Sequence, residues 1–276
     1  MGRLYPRMRE RPPEYRFNRY SPLFSELRAF YTADPAESII RNHVTGNRVP
    51  LFRFYNGPYY SWSSELNRSA LDFRTPTYTQ PSGYVESQLY VPAGRGYSIA
   101  VWAYPRTGIG AYSEVLWCPS MCLLQHYPTG YMRLAITVSP YPDAYAPLSL
   151  NTWQHFVGTY NYAFVRIWKN GVFIAETAGT VSPSATYSDA FIGTANVTNS
   201  YGWCGQLADI GLWSRPLSAA ESAVLADPSN VDLRVGGVPL ILPPRRRLFT
   251  TAVAAGPTFN PAWAAHCNTY IGLGSK

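Results

Sequence analysis

The sequence predicts an all-β sandwich, and three observations carry that expectation. Aromatic residues make up 15% of the chain, and aromatic side chains suit the half-buried surface of a pleated sheet. The chain also holds 21 glycines and 24 prolines among 276 residues, so turns are frequent and long helices disfavoured. Short apolar or alternating runs recur about every ten residues with Gly, Pro and Ser between them, which is the spacing of sandwich strands.

Residues 1–22 are rich in Arg and Pro, follow neither a helical nor a strand period, and read as an extended arm. The first strand is LRAFY (27–31), and 32–50 reads as a polar loop with a turn at Thr45-Gly46-Asn47. Further strands are expected at LFRFY (51–55), YYSW (59–62), ALDF (70–73), YVESQLYV (84–91), YSIAVWAYP (97–105) and EVLWC (114–118). The series continues with YMRLAITV (131–138), HFVGTYN (155–161), FVRIWKNGVFIAE (164–176), DAFIGTA (189–195) and GQLADIGLW (205–213). Asn170-Gly171 sets a type I′ hairpin, because both central residues of that turn need positive φ. One or two helical turns are expected over 218–227, where Ser218 caps and Glu221 closes a capping box. Past Asp227 the chain reads as a second arm, its β-prone pieces PLIL and LFTTAV broken by proline. The division is an arm over 1–22, a sandwich over 23–226 and an arm over 227–276.

The net charge of +7 lies wholly in the two ends. Residues 1–22 carry Arg3, Arg7, Arg9, Arg11, Arg16 and Arg19 and sum to +4; residues 227–276 include Arg245, Arg246 and Arg247 and sum to +3; the body between sums to zero. Basic ends on a neutral body suit arms that grip a neighbouring subunit, and these nine arginines are the candidate partner-binding residues. In an extended ribbon side chains alternate, so Arg245 and Arg247 share one face and Arg246 takes the other. Arginine beside tyrosine also permits phosphate contacts, but without a recognised nucleic-acid module such binding is non-specific, and nucleic acid is not the expected partner.

The start lacks the apolar core of a secretory signal, and no apolar run approaches the roughly 18 residues of a membrane helix. Cys118, Cys122, Cys204 and Cys267 are too few for a disulfide scaffold in a chain of this length. Cys118-x3-Cys122-x3-His126 has the look of half a zinc site, with no paired spacing elsewhere to complete it. Free thiols in a reducing compartment are expected. Trp102, Trp153, Trp168 and Trp213 stand in alternating contexts and are expected to fill the space between two sheets; His155 is expected in the core beside Trp153.

Three stretches carry a resemblance. GYSIAVWAYP (96–105), NTWQHFVGTYNYAFVRIWKNGVFIAE (151–176) and GWCGQLADIGLWSRPLSAAE (202–221) resemble, in order, motifs of the laminin-G-like, concanavalin A-like jelly rolls. SELRAFYTADP and RSALDF fit the same pattern, which covers about residues 23–226. The resemblance implies a jelly-roll β-sandwich in a family of lectins, glucan hydrolases and non-catalytic modules. Hydrolysis needs two carboxylates close together, and the chain has no Glu-x-Asp-x-x-Glu; its body carboxylates, among them Asp72, Glu86, Glu114, Asp143 and Asp189, are singletons. No catalytic residue is therefore assigned. The family also implies a calcium site at the rim, but here one of two consecutive acids is Ala208, leaving Asp209 with Asp189 as candidates. No cofactor or metal site is assigned.

The C-terminal stretch, Pro-Pro-Arg-Arg-Arg followed by FNPAWA (259–264), resembles the ends of tailed-bacteriophage structural proteins. That resemblance implies a virion component, capsid or tail, made in the host cytoplasm. Its expected partners are other virion proteins and further copies of itself in a homo-oligomer. The alternative is a lectin-like module for host glycans, with Tyr141, Tyr145, Asn196, Asn199 and Tyr201 available in rim loops.

Overall fold

The computed structural model describes residues 21–34, 39–46, 48–49, 51–52, 59–73, 83–90, 96–119, 121–181, 187–194 and 201–229. The chain divides into Met1–Val235 and Gly236–Lys276, and the second unit lies outside the described residues. So do residues 1–20, and with them all nine arginines of the predicted arms.

Seventeen strands are described, with one short helix and a 3-10 turn at Pro22–Phe24. They are β1 (Leu27–Asp34), β2 (Ile39–Asn42), β3 (Arg48–Val49), β4 (Leu51–Phe52), β5 (Tyr59–Ser63) and β6 (Arg68–Phe73). Next come β7 (Gly83–Tyr90), β8 (Tyr97–Pro105), β9 (Glu114–Cys118), β10 (Cys122–Tyr127), β11 (Tyr131–Ile136) and β12 (Asp143–Pro147). The last are β13 (Gln154–Tyr160), β14 (Phe164–Lys169), β15 (Val172–Ala178), β16 (Tyr187–Ile192) and β17 (Gly205–Trp213), followed by α1 (Ala219–Leu225). They form two antiparallel sheets. The ten-stranded sheet runs β15-β14-β13-β8-β17-β1-β2-β3, with β6 also on β17 and β5 on β6. The seven-stranded sheet runs β12-β11-β10-β9-β16-β7-β4. This is the jelly-roll sandwich that the sequence predicts.

Alternation builds the core. Ile99, Val101 and Ala103 of β8 point between the sheets and meet Leu124 of β10, Leu134 of β11 and Ala144 of β12. The intervening residues face the other way, and the outer face is covered too over β1, β8, β13, β14 and β17, while β15 stays exposed. Phe30, Ala100, Val157, Trp168 and Trp213 pack there under Leu23 of the 3-10 turn and Val224 and Leu225 of α1. Trp102, Trp153, Leu66, Ala70 and Ala208 form a neighbouring cluster. The four tryptophans are therefore buried, but in this second layer and not between the sheets as the sequence suggests. The physical reason is parity: the inner positions of β8 are the odd ones, so Trp102 falls outside, and its registered partners His155 and Ala208 fall with it. Burying ~200 Å² of a tryptophan contributes roughly 5 kcal/mol as an upper bound, so an uncovered outer face would be costly, and α1 supplies the cover.

The turn and cap readings hold. Asn170 and Gly171 have φ of 49° and 78°, and Asn170 Oδ1 accepts from His155 N at 2.8 Å, fixing the hairpin against β13. Ser218 and Glu221 form the reciprocal capping box, and Arg215 holds Glu221 in place. Two other readings are corrected. The predicted loop over 32–50 contains β2 and β3, with Ile40 and Val49 fully buried, and two strands that the sequence reading omitted, β10 and β12, stand in the seven-stranded sheet.

Candidate functional site

The outer face of the seven-stranded sheet is polar and aromatic. On β10, β11 and β12 the inward residues Leu124, Met132, Leu134, Ala144 and Ala146 are buried in the core. The alternate residues Gln125, Tyr127, Tyr131, Arg133, Asp143 and Tyr145 therefore share the opposite face. Register aligns them across the strands: Gln125 pairs with Glu114 and with Arg133, Tyr127 with Tyr131, and Arg133 with Tyr145.

Two layers result. The floor is a hydrogen-bonded row. With its amide turned to satisfy both neighbours, Gln125 donates to Glu114 Oε1 at 2.8 Å and accepts from Arg133 Nη1 at 2.9 Å. Arg133 Nε and Nη2 reach Asp143 Oδ2 at 2.8 and 2.7 Å, and the Tyr145 hydroxyl donates to the same oxygen at 2.8 Å. Burial pushes the Glu114 carboxyl well above the usual range, against the opposing pull of Arg133, and its Oε2 has no hydrogen-bond partner. Burial and the bond to Asp143 push the Tyr145 hydroxyl up to about 12, so it stays a donor at neutral pH.

Along this row runs a belt of five tyrosines. Ring centroids step from Tyr201 to Tyr112 (6.1 Å), to Tyr127 (5.4 Å), to Tyr145 (5.2 Å) and to Tyr131 (6.3 Å), every contact close to edge-on. Edge-to-face rings present faces and edges in alternation. The Arg133 guanidinium lies over the Tyr127 ring at 5.5 Å. Tyr112, Tyr131 and Tyr201 each remain more than a third exposed. The two loop tyrosines are tied to the sheet: Glu114 N donates to Tyr201 O at 2.9 Å, His126 N donates to Ser113 O at 2.8 Å, and His126 Nδ1 meets Gly110 O at 2.7 Å. Burial lowers the His126 pKa, which keeps this anchor neutral.

Tyr145 and Tyr201, expected in rim loops, thus join one surface. Tyr141 is 57% exposed in the β11–β12 connection, outside the ring chain, while Asn196 and Asn199 lie outside the described residues. The sequence reading did not single out Tyr112, Tyr127, Tyr131, Gln125 or Arg133. Their signal was the alternation Leu124-Gln125-His126-Tyr127 across the turn from Tyr131-Met132-Arg133-Leu134, visible only once β10 is recognised.

The other singled-out groups serve structure. Cys118 and Cys122 face each other across β9 and β10, both fully buried, whereas His126 is four residues further along the strand, about 13 Å away at the strand rise. One ion cannot bridge that span, so the half zinc site is not formed. Asp209 of β17 is buried against Arg68 in the ten-stranded sheet and Asp189 belongs to β16 of the other, so the two calcium candidates do not converge. Among the described residues no three His, Cys, Asp or Glu side chains gather around a common point. Glu86 accepts from Tyr31 at 2.6 Å and from Asn42 at 2.8 Å, and Asp72 binds Arg106. His155 is buried beside Trp102, 5.1 Å between rings, and burial with the nearby Arg68 charge pushes its pKa down to about 3. It lines a cavity of about 30 Å³ under α1, room for a water or two and far too small for a sugar ring.

A two-layer sandwich with one face covered by a helix and the other presenting an aromatic, hydrogen-bonding surface defines a lectin-like β-sandwich. The chain belongs to the concanavalin A-like lectin/glucanases superfamily, whose laminin-G-type model matches residues 79–222, more than half of its length. Similar solved structures include domain 4 of AbnA, a GH43 extracellular arabinanase from Geobacillus stearothermophilus, in complex with arabinotriose. It is 15% identical with a TM-score of 0.59, over 73% of this chain and 98% of that one. The binding domain of Paraclostridial Mosquitocidal Protein 1 is 12% identical (TM-score 0.55, 74% of this chain and 52% of that one). The Botulinum neurotoxin serotype D ligand binding domain in complex with N-acetylneuraminic acid is 9% identical (TM-score 0.54, 74% and 51%). This chain thus spans about half of each toxin domain. At these identities the likeness establishes the fold. No curated protein matches the sequence.

Proposed function

We propose that the chain is a non-catalytic glycan-binding module whose ligand lies across the tyrosine belt of the seven-stranded sheet. The observation that carries this is the pairing of five ring-contacting tyrosines with a hydrogen-bonded polar row on one exposed face. A sugar ring has apolar C–H faces and a rim of hydroxyls. Tyrosine meets both, with a large apolar body and a polar tip, and a few placed polar groups fix orientation. Similar folds in complex with arabinotriose and with N-acetylneuraminic acid support the reading.

Distance argues against hydrolysis. Glu114 and Asp143 share the face, but β10 and β11 separate their strands, and three interstrand steps span about 14 Å. Glycosidase carboxylates stand roughly 5–9.5 Å apart. The test is a glycan array probed with the wild type, Tyr112→Ala and Tyr127→Ala. Binding by the wild type that both variants lose, with unchanged circular dichroism, is expected; binding unaffected by either variant would sink the belt as the site.

One observation favours a second, compatible reading, a component of a bacteriophage virion: the whole charge excess lies outside the neutral body. In that reading the ends, with Arg3 to Arg19 and Arg245 to Arg247, attach the module to neighbouring subunits. Changing Arg245 and Arg247 together to Ala is expected to weaken incorporation into particles more than changing Arg246 alone; equal, negligible effects would mark the triplet as a solvated charge run.

A further inference from the structure

The glycan reading leaves the chemical class of sugar open, and the floor of the belt narrows it. Resting on that reading, we infer that the belt takes neutral glycans and discriminates against sugars bearing a carboxylate. Arg133 is the cation at its centre, and a guanidinium is the usual partner of an acidic sugar because its fork matches a carboxylate. Here three of its five N–H donors are already engaged: those of Nε and Nη2 by Asp143 at 2.8 and 2.7 Å, and one on Nη1 by Gln125 at 2.9 Å. Its guanidinium carbon stands over the Tyr127 ring, 5.5 Å from the ring centre. A ligand carboxylate that takes the Nε/Nη2 edge has to displace Asp143, and one that takes the remaining N–H donors sits beside the Asp143 charge. The pair itself is about a fifth exposed, so that like-charge approach is only partly screened by solvent.

The rest of the surface is neutral. Glu114, the other carboxyl of the floor, is 4% exposed behind Gln125 and offers no charge to the ligand. Tyr112, Tyr127, Tyr131 and Tyr201 present rings and hydroxyls. Such a surface matches C–H faces and hydroxyl groups and gives an anion nothing to pair with. Asp143 thereby acts as a specificity-determining residue: it holds Arg133 over Tyr127 and cancels its charge.

The experiment uses the full chain on an array of matched pairs, each neutral oligosaccharide printed beside the same glycan ending in sialic acid or a uronic acid. The neutral member is expected to bind about tenfold or more tightly, with affinity nearly unchanged between low and high salt. Asp143→Asn keeps the shape and releases the Arg133 charge, and is expected to raise binding of the acidic members severalfold and make it salt-sensitive. Wild-type preference for the acidic members overturns this inference and leaves the glycan reading standing. Binding to no glycan on the array overturns both. The wild-type comparison decides the matter even where Asp143→Asn fails to fold.

Discussion

Two buried titratable side chains make opposite demands on pH. Glu114 has its pKa raised by burial, so in the folded protein it holds a proton that the unfolded chain releases at ordinary carboxylate pH. Its contribution to stability is therefore present at low pH and is lost as pH rises through the unfolded value toward the folded one. Glu114→Gln, neutral at every pH, is expected to match the wild type near pH 4 and to exceed it near pH 8 in urea denaturation; a constant difference across that range would contradict the assignment. His155 works the other way. Burial first, and then Arg68, lower its pKa to about 3, so the unfolded chain takes up a proton between the ordinary histidine value and that pH. Its neutral form favours the fold above about pH 6.5, and the advantage falls away as pH drops toward 3, by an amount on the order of a few kcal/mol. His155→Gln is expected to flatten this acid limb, and an unaltered acid limb would exclude His155 as its source.

At the scale of elements, the β14–β15 hairpin and α1 stabilise each other. Gly171 has φ of 78°, and a Cβ there would lie 3.0 Å from the Ala223 Cα of α1. Gly171→Ala is expected to cost roughly 1–3 kcal/mol through the backbone strain alone, and Ser218→Ala about 1 kcal/mol through the lost cap; thermal melts of both variants check this. Both features are legible in the sequence because turns and caps are local chemistry: Asn-Gly and Ser-x-x-Glu declare themselves within four residues. Strands β8, β9 and β17 are equally legible from their apolar alternation. The strands that carry the site are not. β10 (CLLQHY) places His126 at an inward position where an apolar residue suits a strand pattern, and β12 (DAYAP) contains Asp and Pro, which are depleted from strands. Pro147 is tolerated there because β12 is the edge of its sheet. The polar, aromatic face is the one whose pattern departs from core-forming strands, so the candidate site was the least visible part of the fold. The tryptophans show a subtler loss: burial followed from their type, but the layer they fill depended on parity and on a helix packing over the outer face.

The molecule as a whole separates charge from fold. Every residue that positions the belt lies between Arg106 and Cys204, in a body whose formal charge is zero. Deleting residues 1–20, which spares the turn anchored by Trp213 Nε1 to Leu23 O at 2.7 Å, is expected to leave the melting temperature and the circular dichroism nearly unchanged. A large drop would show that the arm belongs to the folding unit. The two faces of the sandwich are also unequal by construction. The ten-stranded sheet buries part of its outer side under α1 and Leu23, whereas the seven-stranded sheet presents tyrosines over a hydrogen-bonded polar row. That asymmetry supports the functional reading, in which the ligand lies across the tyrosine-bearing sheet face and the two loop tyrosines beside it. The most direct test is amide chemical-shift mapping of the labelled protein titrated with the best oligosaccharide from the array. Perturbations concentrated on Gln125–Tyr127, Tyr131–Arg133 and Asp143–Tyr145 are the expected result. Perturbations confined to the ten-stranded sheet or to the Ser139–Pro142 turn would contradict it.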